Sequence, residues 1–216
     1  MNDPTLDEMR VLLAAELPRH AAFDGWTPAA LDLAAASTGI DPAVAQLAYP
    51  GGAVDMIDAW FAHVDTAMLE LLSPETLAAM KVRQRITALV ESRLDLVAKD
   101  GEALRRALAV LAQPQNLARA ARLNWRAADA MWRAAGDTAT DYNHYTKRAL
   151  LGGVYAATVM AMMADESDGR ADTRAFLARR IEGIMQFEKF KARFSRAAPE
   201  RLSLARFLGR LRYPAV

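Results

Sequence analysis

The residue types that carry most protein chemistry are sparse and scattered in this chain of 216 residues. Its three histidines, His20, His63 and His144, lie far apart and form neither an HExxH nor a Glu-x-x-His pattern. Those are the spacings that set metal ligands on one helical face. Cysteine is absent, which removes thiolate nucleophiles and disulfides and suits a reducing compartment. No glycine-rich phosphate loop follows a strand-like run. The expectation is a protein with no catalytic residues, no metal and no cofactor. One spacing does carry meaning. Asp141, His144, Tyr145 and Arg148 fall at i, i+3, i+4 and i+7, on one stripe of a helix. Tyr and Arg favour the centres of protein interfaces, so the stripe is a candidate docking face. The alternative is a solvated first turn with an Asp141–Arg148 ion pair.

Beyond Arg148 the same helix is apolar all round, with Leu150, Leu151, Val154, Tyr155, Val159, Met160, Met162 and Met163. All-round apolarity means burial, in an ordinary core or along a lipid-lined cavity, and methionine suits an adaptable apolar site. The preceding segment, "NLARAARLNWRAADAMWRAAG", carries Arg119, Arg122, Arg126 and Arg133 on one stripe with Asp129 among them. It reads as a solvated face. Trp125 and Trp132 are bulky anchors there, and Met131 neighbours the start of the next helix. From Lys189 onward there are eight basic residues and one acid, Glu200. Leu204, Phe207, Leu208 and Leu211 share one side of that tail, accompanied by Arg201, Arg206, Arg210 and Arg212. A basic amphipathic helix either lies on a membrane surface or packs back on its own body, and both readings stay open.

These groups must be positioned by helices. Hydrophobic residues make up 53% and charged ones 25%, which describes a folded globular chain. Apolar residues recur at helical spacing almost throughout, and alternating β-branched runs are missing. One stripe, Leu6, Met9, Leu13 and Leu17, is expected to end at Pro18. The segment "AAASTGIDPAVAQLAYPGG" has the outline of a helix-turn-helix. Such a head gains DNA affinity from Lys and Arg, yet between Ala21 and Met80 there are eight acids and no base. Residues 1–80 carry a net charge of −10 and the remainder +11, which suggests different partners for the two ends. The N-terminal "MNDPTLDEMR" resembles neither a secretory signal nor a transit peptide. The longest uncharged apolar stretch, Ala149 to Ala164, falls short of the roughly 20 residues that span a bilayer.

The layout of a three-helix head, with "FDGWT" before the hairpin and "YPGG" after it, resembles the TetR-like fold. The segment "AGDTATDYNHYTKRALLGGVYAATVMAMMAD", with "TRAFLARRIEGIM", resembles the Coq-nine family, lipid-binding accessory proteins of ubiquinone biosynthesis. The resemblance runs from about Leu6 to Met185. It implies an all-α, TetR-like helical bundle with a helix-turn-helix-like head that no longer binds nucleic acid. It further implies a non-catalytic homodimer that holds an isoprenoid lipid or quinone intermediate and docks onto demethoxyubiquinone hydroxylase or an equivalent enzyme. The docking patch carries over to Met131, Asp141, His144, Tyr145 and Arg148, with His144 standing where eukaryotic members show Trp. The lipid site is expected at Trp132, Leu151, Tyr155, Val159, Met160 and Met163, and the membrane contact at Leu204, Arg206, Phe207, Leu208, Arg210 and Leu211. The expected divisions are a head over 1–72, a lipid-binding and docking bundle over 73–194, and a membrane-associating tail over 195–216. The expected location is the cytoplasm, peripheral to the inner face of a bacterial plasma membrane. A TetR-type ligand-responsive transcription regulator is the alternative.

Overall fold

The chain folds into helices α1 (Leu6–Asp24), α2 (Pro28–Thr38), α3 (Pro42–Ala48), α4 (Ala53–Leu71) and α5 (Pro74–Ala78), then α6 (Val82–Ala98), α7 (Gly101–Leu111), α8 (Leu117–Ala134), α9 (Tyr142–Met163) and α10 (Ala171–Arg196). The computed structural model describes residues 5–138 and 142–196, with side chains omitted at 142 and 187–196. Among the described residues there is no strand.

Local signals set the helix starts. Thr5 and Glu8 form a reciprocal capping box, Glu8 N donating to Thr5 Oγ1 at 3.3 Å and Thr5 N to Glu8 Oε2 at 2.8 Å. Thr27, Asp41 and Ser73 cap α2, α3 and α5, each followed by a proline that needs no hydrogen-bond partner there. Gly39 ends α2 in the left-handed region at φ 72°, which an L side chain adopts only at a cost. The expected stop at Pro18 does not occur: α1 runs on to Asp24. Pro18 removes one backbone bond, but Leu17, Pro18 and Ala21 are all buried. Packing of α1 on α2, α4 and α7 outweighs the local penalty.

The two sequence marks around the hairpin have structural jobs. Trp26 of "FDGWT" is buried against Trp60, ring centroids 5.3 Å apart, and its Nε1 donates to the Ala103 carbonyl of α7 at 3.0 Å. Tyr49 of "YPGG" donates its hydroxyl to the Arg10 carbonyl at 3.0 Å, and Gly51 N donates to Asp55 Oδ2 at 2.7 Å. Trp26 ties the head to α7, whereas the bonds of Tyr49 and Gly51 brace α1, α3 and α4 within the head. One hydrophobic core runs from Met9 to Ile181 and crosses the expected division at residue 72 without a break.

The opposite charges of the two halves meet at the half-buried contact between α4 and α8. Asp55, Asp58 and Asp65 of α4 face Arg119 and Arg126 of α8. Arg119 Nη2 lies 2.5 Å from Asp55 and 3.2 Å from Asp58, while Arg126 binds Asp58 and reaches Asp65 at 3.3 Å. The α8 stripe, expected to be a solvated face, is therefore in part an internal clamp. Periodicity showed the stripe and not its partners, which lie more than sixty residues earlier.

Candidate functional site

Helices α7, α8 and α9 form three walls of a cavity of about 730 Å³, within the usual range of ligand sites. Leu104, Leu108 and Leu111 line it from α7, and Leu117, Leu123 and Ala127 from α8. Tyr155, Val159, Met160 and Met163 line it from α9, at spacings that keep one helical face inward. At Gly152 the Asn124 side chain of α8 lies close over α9, and a Cβ there, 2.7 Å from Asn124 Nδ2, would make that amide shift. The rim is exposed and apolar: Met160 is 62% exposed and Leu117 55%. Four of the six residues expected to bind lipid thus share one cavity. Trp132 and Leu151 instead pack into the core, where Trp132 Nε1 donates to the Lys147 carbonyl at 3.0 Å. Leu151 occupies a second inward face of α9, the helix that is apolar beyond Arg148, and Trp132 packs into the core from α8.

The deep end is polar. Arg93 of α6, 1% exposed, lines the cavity beside Phe61 and Tyr155. Its Nε donates to Asp65 Oδ1 at 2.8 Å and its Nη1 to the Tyr155 hydroxyl. Its guanidinium also lies over the Tyr155 ring, 4.8 Å from the centroid. Burial pushes the Tyr155 phenol above its ordinary pKa of 10.0, and the nearby Arg93 only partly offsets that. The hydroxyl therefore stays protonated at neutral pH.

The expected docking stripe divides in two. Tyr145 is 61% exposed, with Trp125 of α8 at 6.1 Å between centroids and His144 edge-on at 5.1 Å. These three rings make an aromatic ridge at the start of α9. Arg148, expected on that docking face, is instead turned into the protein. It is 2% exposed, with Nε 2.5 Å from Asp129 and Nη1 3.0 Å from Asp137. Lys147 also reaches Asp137, at 2.7 Å. Burial works to raise the Asp129 and Asp137 carboxyls, but these cations hold both below the ordinary aspartate range. Met131 is wholly buried in the core. Asp141 lies outside the described residues, as do Leu204, Arg206, Phe207, Leu208, Arg210 and Leu211.

The COQ9 sequence profile matches residues 117–188, from α8 into α10. The ubiquinone biosynthesis protein COQ9, mitochondrial, of Rattus norvegicus is 35% identical over 184 residues, covering 82% of this chain. The Homo sapiens protein of that name is 32% identical over 185 residues, again over 82% of this chain. The chain belongs to the COQ9 family. It spans 58% and 57% of the length of these two relatives. A TetR transcriptional regulator from Nitrosomonas europaea superposes with a TM-score of 0.63 at 23% identity, over 81% of this chain and 96% of that one. That likeness establishes a TetR-like, all-α fold for this COQ9-family chain.

Within the COQ9-family chain, the profile interval holds α8 and α9 and so both the aromatic ridge and two walls of the cavity. Sequence reading missed Arg93, Asp65 and the contribution of α7. A signal for Arg93 was present, because it sits at i+7 of the apolar stripe Ile86, Leu89, Val90, Leu94 and Val97. A cation at a core register position must find a buried partner. Among the described residues no group of three or more His, Cys, Asp and Glu is placed to hold a metal, and no helix is long and apolar enough to cross a membrane.

Proposed function

We propose that this chain is a non-catalytic accessory protein of ubiquinone biosynthesis. It holds an isoprenoid lipid or quinone intermediate and presents it to a membrane-associated hydroxylase, demethoxyubiquinone hydroxylase or an equivalent enzyme. The observation that carries this reading is the apolar cavity lined by Tyr155, Val159, Met160 and Met163 in a COQ9-family chain. The ridge at Tyr145 lies on the same helix, about 22 Å along its axis from Met160 at 1.5 Å per residue. A rigid helix that carries both features suits a protein that brings a bound lipid to a docked enzyme.

In the same reading the protein is a homodimer at the inner face of the bacterial plasma membrane. Leu204, Phe207, Leu208 and Leu211 enter the acyl boundary while Arg206 and Arg210 meet anionic headgroups. The transcription-regulator alternative lacks support at the hairpin, where no Lys or Arg stands between Ala21 and Met80.

The test is native mass spectrometry of protein purified from its own host, followed by lipid extraction. A stoichiometric isoprenoid is expected. Protein that extracts free of lipid would remove the basis of the reading.

A further inference from the structure

We propose that the outer face of α1 is a docking surface, and that the chain's own basic tail, residues 199–213, occupies it when no membrane is present. The competition with a membrane rests on the reading of that tail as the membrane contact; the docking itself does not.

Helix α1 has two apolar sides. Met9, Leu13, Leu17 and Ala21 are buried in the core, where α1 packs on α2, α3, α4 and α7. Glu8, Leu12, Ala15, Arg19 and Phe23 recur at steps of three and four, so they share a second face, and all five are exposed. Leu12 is 53% exposed and Phe23 81%, with Val11 bordering the stripe at 67%. Single exposed apolar residues are ordinary, but a stripe of them along one helix marks a contact surface.

Charge selects the occupant. Residues 1–80 carry a net charge of −10. Arg93, Arg119 and Arg126 answer Asp55, Asp58 and Asp65, which leaves −7 on the head. From Lys189 onward, eight basic residues and one acid give +7. The most basic part of the chain thus matches the charge that the head leaves unanswered. Of the two bases on α1, Arg10 is turned to the Ala48 carbonyl at 2.9 Å, and Arg19 is outnumbered by Asp7, Glu8, Glu16 and Asp24.

Pattern and reach agree with charge. Leu204, Phe207, Leu208 and Leu211 share one side of the tail over about 10 Å of helix, and Leu12 to Phe23 spans about 16 Å. From Arg196, where α10 ends, the chain to Leu204 can extend about 26–29 Å, against a radius of gyration of about 17 Å for a domain of this size. A tethered segment acts at an effective concentration on the order of millimolar, so a molecule's own tail outcompetes that of a second copy. An apolar side laid on α1 is withheld from lipid, so docking and membrane insertion exclude one another.

The experiment uses the full chain, whose lack of cysteine allows two spin labels to be placed, at Val11→Cys and Ala205→Cys. In buffer the labels should lie on the order of 10–20 Å apart, since packed helices run about 8–10 Å apart. Excess unlabelled chain should leave that distance unchanged, and vesicles of phosphatidylglycerol and phosphatidylcholine should lengthen it. A long distance in buffer would overturn the proposal. So would a short one that disappears on dilution, which would mean the tail of a second copy. In flotation with the same vesicles, Leu12→Ser with Phe23→Ser should bind about tenfold more tightly if one tail in ten is free in the wild type. Both side chains are exposed, so the fold is not at stake. Unchanged binding would overturn the proposal, and weaker binding would too, by making the α1 face a membrane contact itself. A chain that never floats with vesicles would sink the membrane reading alone, because the distance in buffer still decides the docking.

Discussion

Arg148 Nε sits 2.5 Å from Asp129 Oδ1, and this buried pair fastens the start of α9 to α8. Arg148 Nη1 also donates to the His144 carbonyl at 3.2 Å, next to the exposed Tyr145, and lies 3.0 Å from Asp137. Arg148 is thus a support of the ridge and Tyr145 its exposed surface. The two residues, equivalent by spacing, should behave differently on mutation.

Replacing Arg148 with alanine should leave Asp129 without its buried partner and weaken the hold on Asp137. Breaking a buried pair on one side costs about 3–5 kcal/mol. A melting temperature lower by on the order of 10 °C is expected by calorimetry or circular dichroism. A melt within a degree or two of wild type would mean that the pair contributes little to the fold.

Tyr145→Ala, in contrast, should melt like the wild type, within about 0.5 kcal/mol, because it removes an exposed ring. If the ridge docks a partner enzyme, loss of such an anchor weakens the complex by about 2 kcal/mol or more. Quinone profiling of a complemented deletion strain should then show less ubiquinone and more of its demethoxy precursor. Normal quinone levels would leave Tyr145 as an ordinary surface residue.

The helical framework was legible in the sequence because a 3.6-residue repeat writes itself into the apolar pattern of each segment. Caps at Thr27, Asp41 and Ser73 marked their helices for the same local reason. Arg148 was misplaced because its partners depend on a turn between helices: Asp129 is 19 residues away and Asp137 11. Pro18 was misread because local penalty was visible and the packing that overrides it was not. The cavity was half legible. The α9 side announced itself through Tyr155, Val159, Met160 and Met163, whereas α8 reads as a solvated face and the α7 segment carries no mark of a cavity wall. A cavity is a relation among helices, and no single periodicity encodes it.

Met160→Glu should reduce lipid that co-purifies with the protein. Met160 stands on the rim at 62% exposure, so a carboxylate there meets water in the empty protein and keeps the fold intact. With an apolar tail bound, the same carboxylate must be partly desolvated, which opposes binding. Mass spectrometry of extracted lipid, beside a melt, measures both effects. Unchanged lipid content would place the tail elsewhere.

Acid should unfold the protein from the Asp129–Asp137 region. Both carboxyls titrate below the ordinary 3.8 in the folded state, where Arg148 with Arg133 or Lys147 outweighs the effect of burial. Asp165 is also held low, chiefly by bonds from Ser167 and Thr173. A depressed folded pKa stabilises the fold above the unfolded value and loses that contribution as pH falls through the folded one. Stability should therefore be flat from neutral pH to about pH 5 and drop below about pH 4. Denaturant titrations across that range should also show a shallower acid slope in Arg148→Ala. An equally steep slope in the variant would assign the acid sensitivity to other carboxylates.

The last prediction concerns what the clamp between α4 and α8 withholds. Arg119 and Arg126 are cations on a chain with a TetR-like fold, and unpaired they would attract any phosphate backbone. Here each already holds carboxylates: Arg119 those of Asp55 and Asp58, Arg126 those of Asp58 and Asp65. A guanidinium engaged in this way has little left to offer a phosphate. The hairpin itself supplies none, since α2 and α3 carry no Lys or Arg. Wild-type protein should therefore show no binding to a labelled duplex in an anisotropy titration at low salt, where attraction is strongest. Changing Asp55 and Asp58 together to asparagine removes two counter-charges and frees Arg119 most completely. That variant should acquire weak, sequence-independent binding with a shallow salt dependence, a slope of about −2 for two phosphates neutralised. Saturable, sequence-specific binding by the wild type would instead make the head a DNA reader. A variant that stays as inert as the wild type would show that the acidic head repels the duplex without help from the clamp.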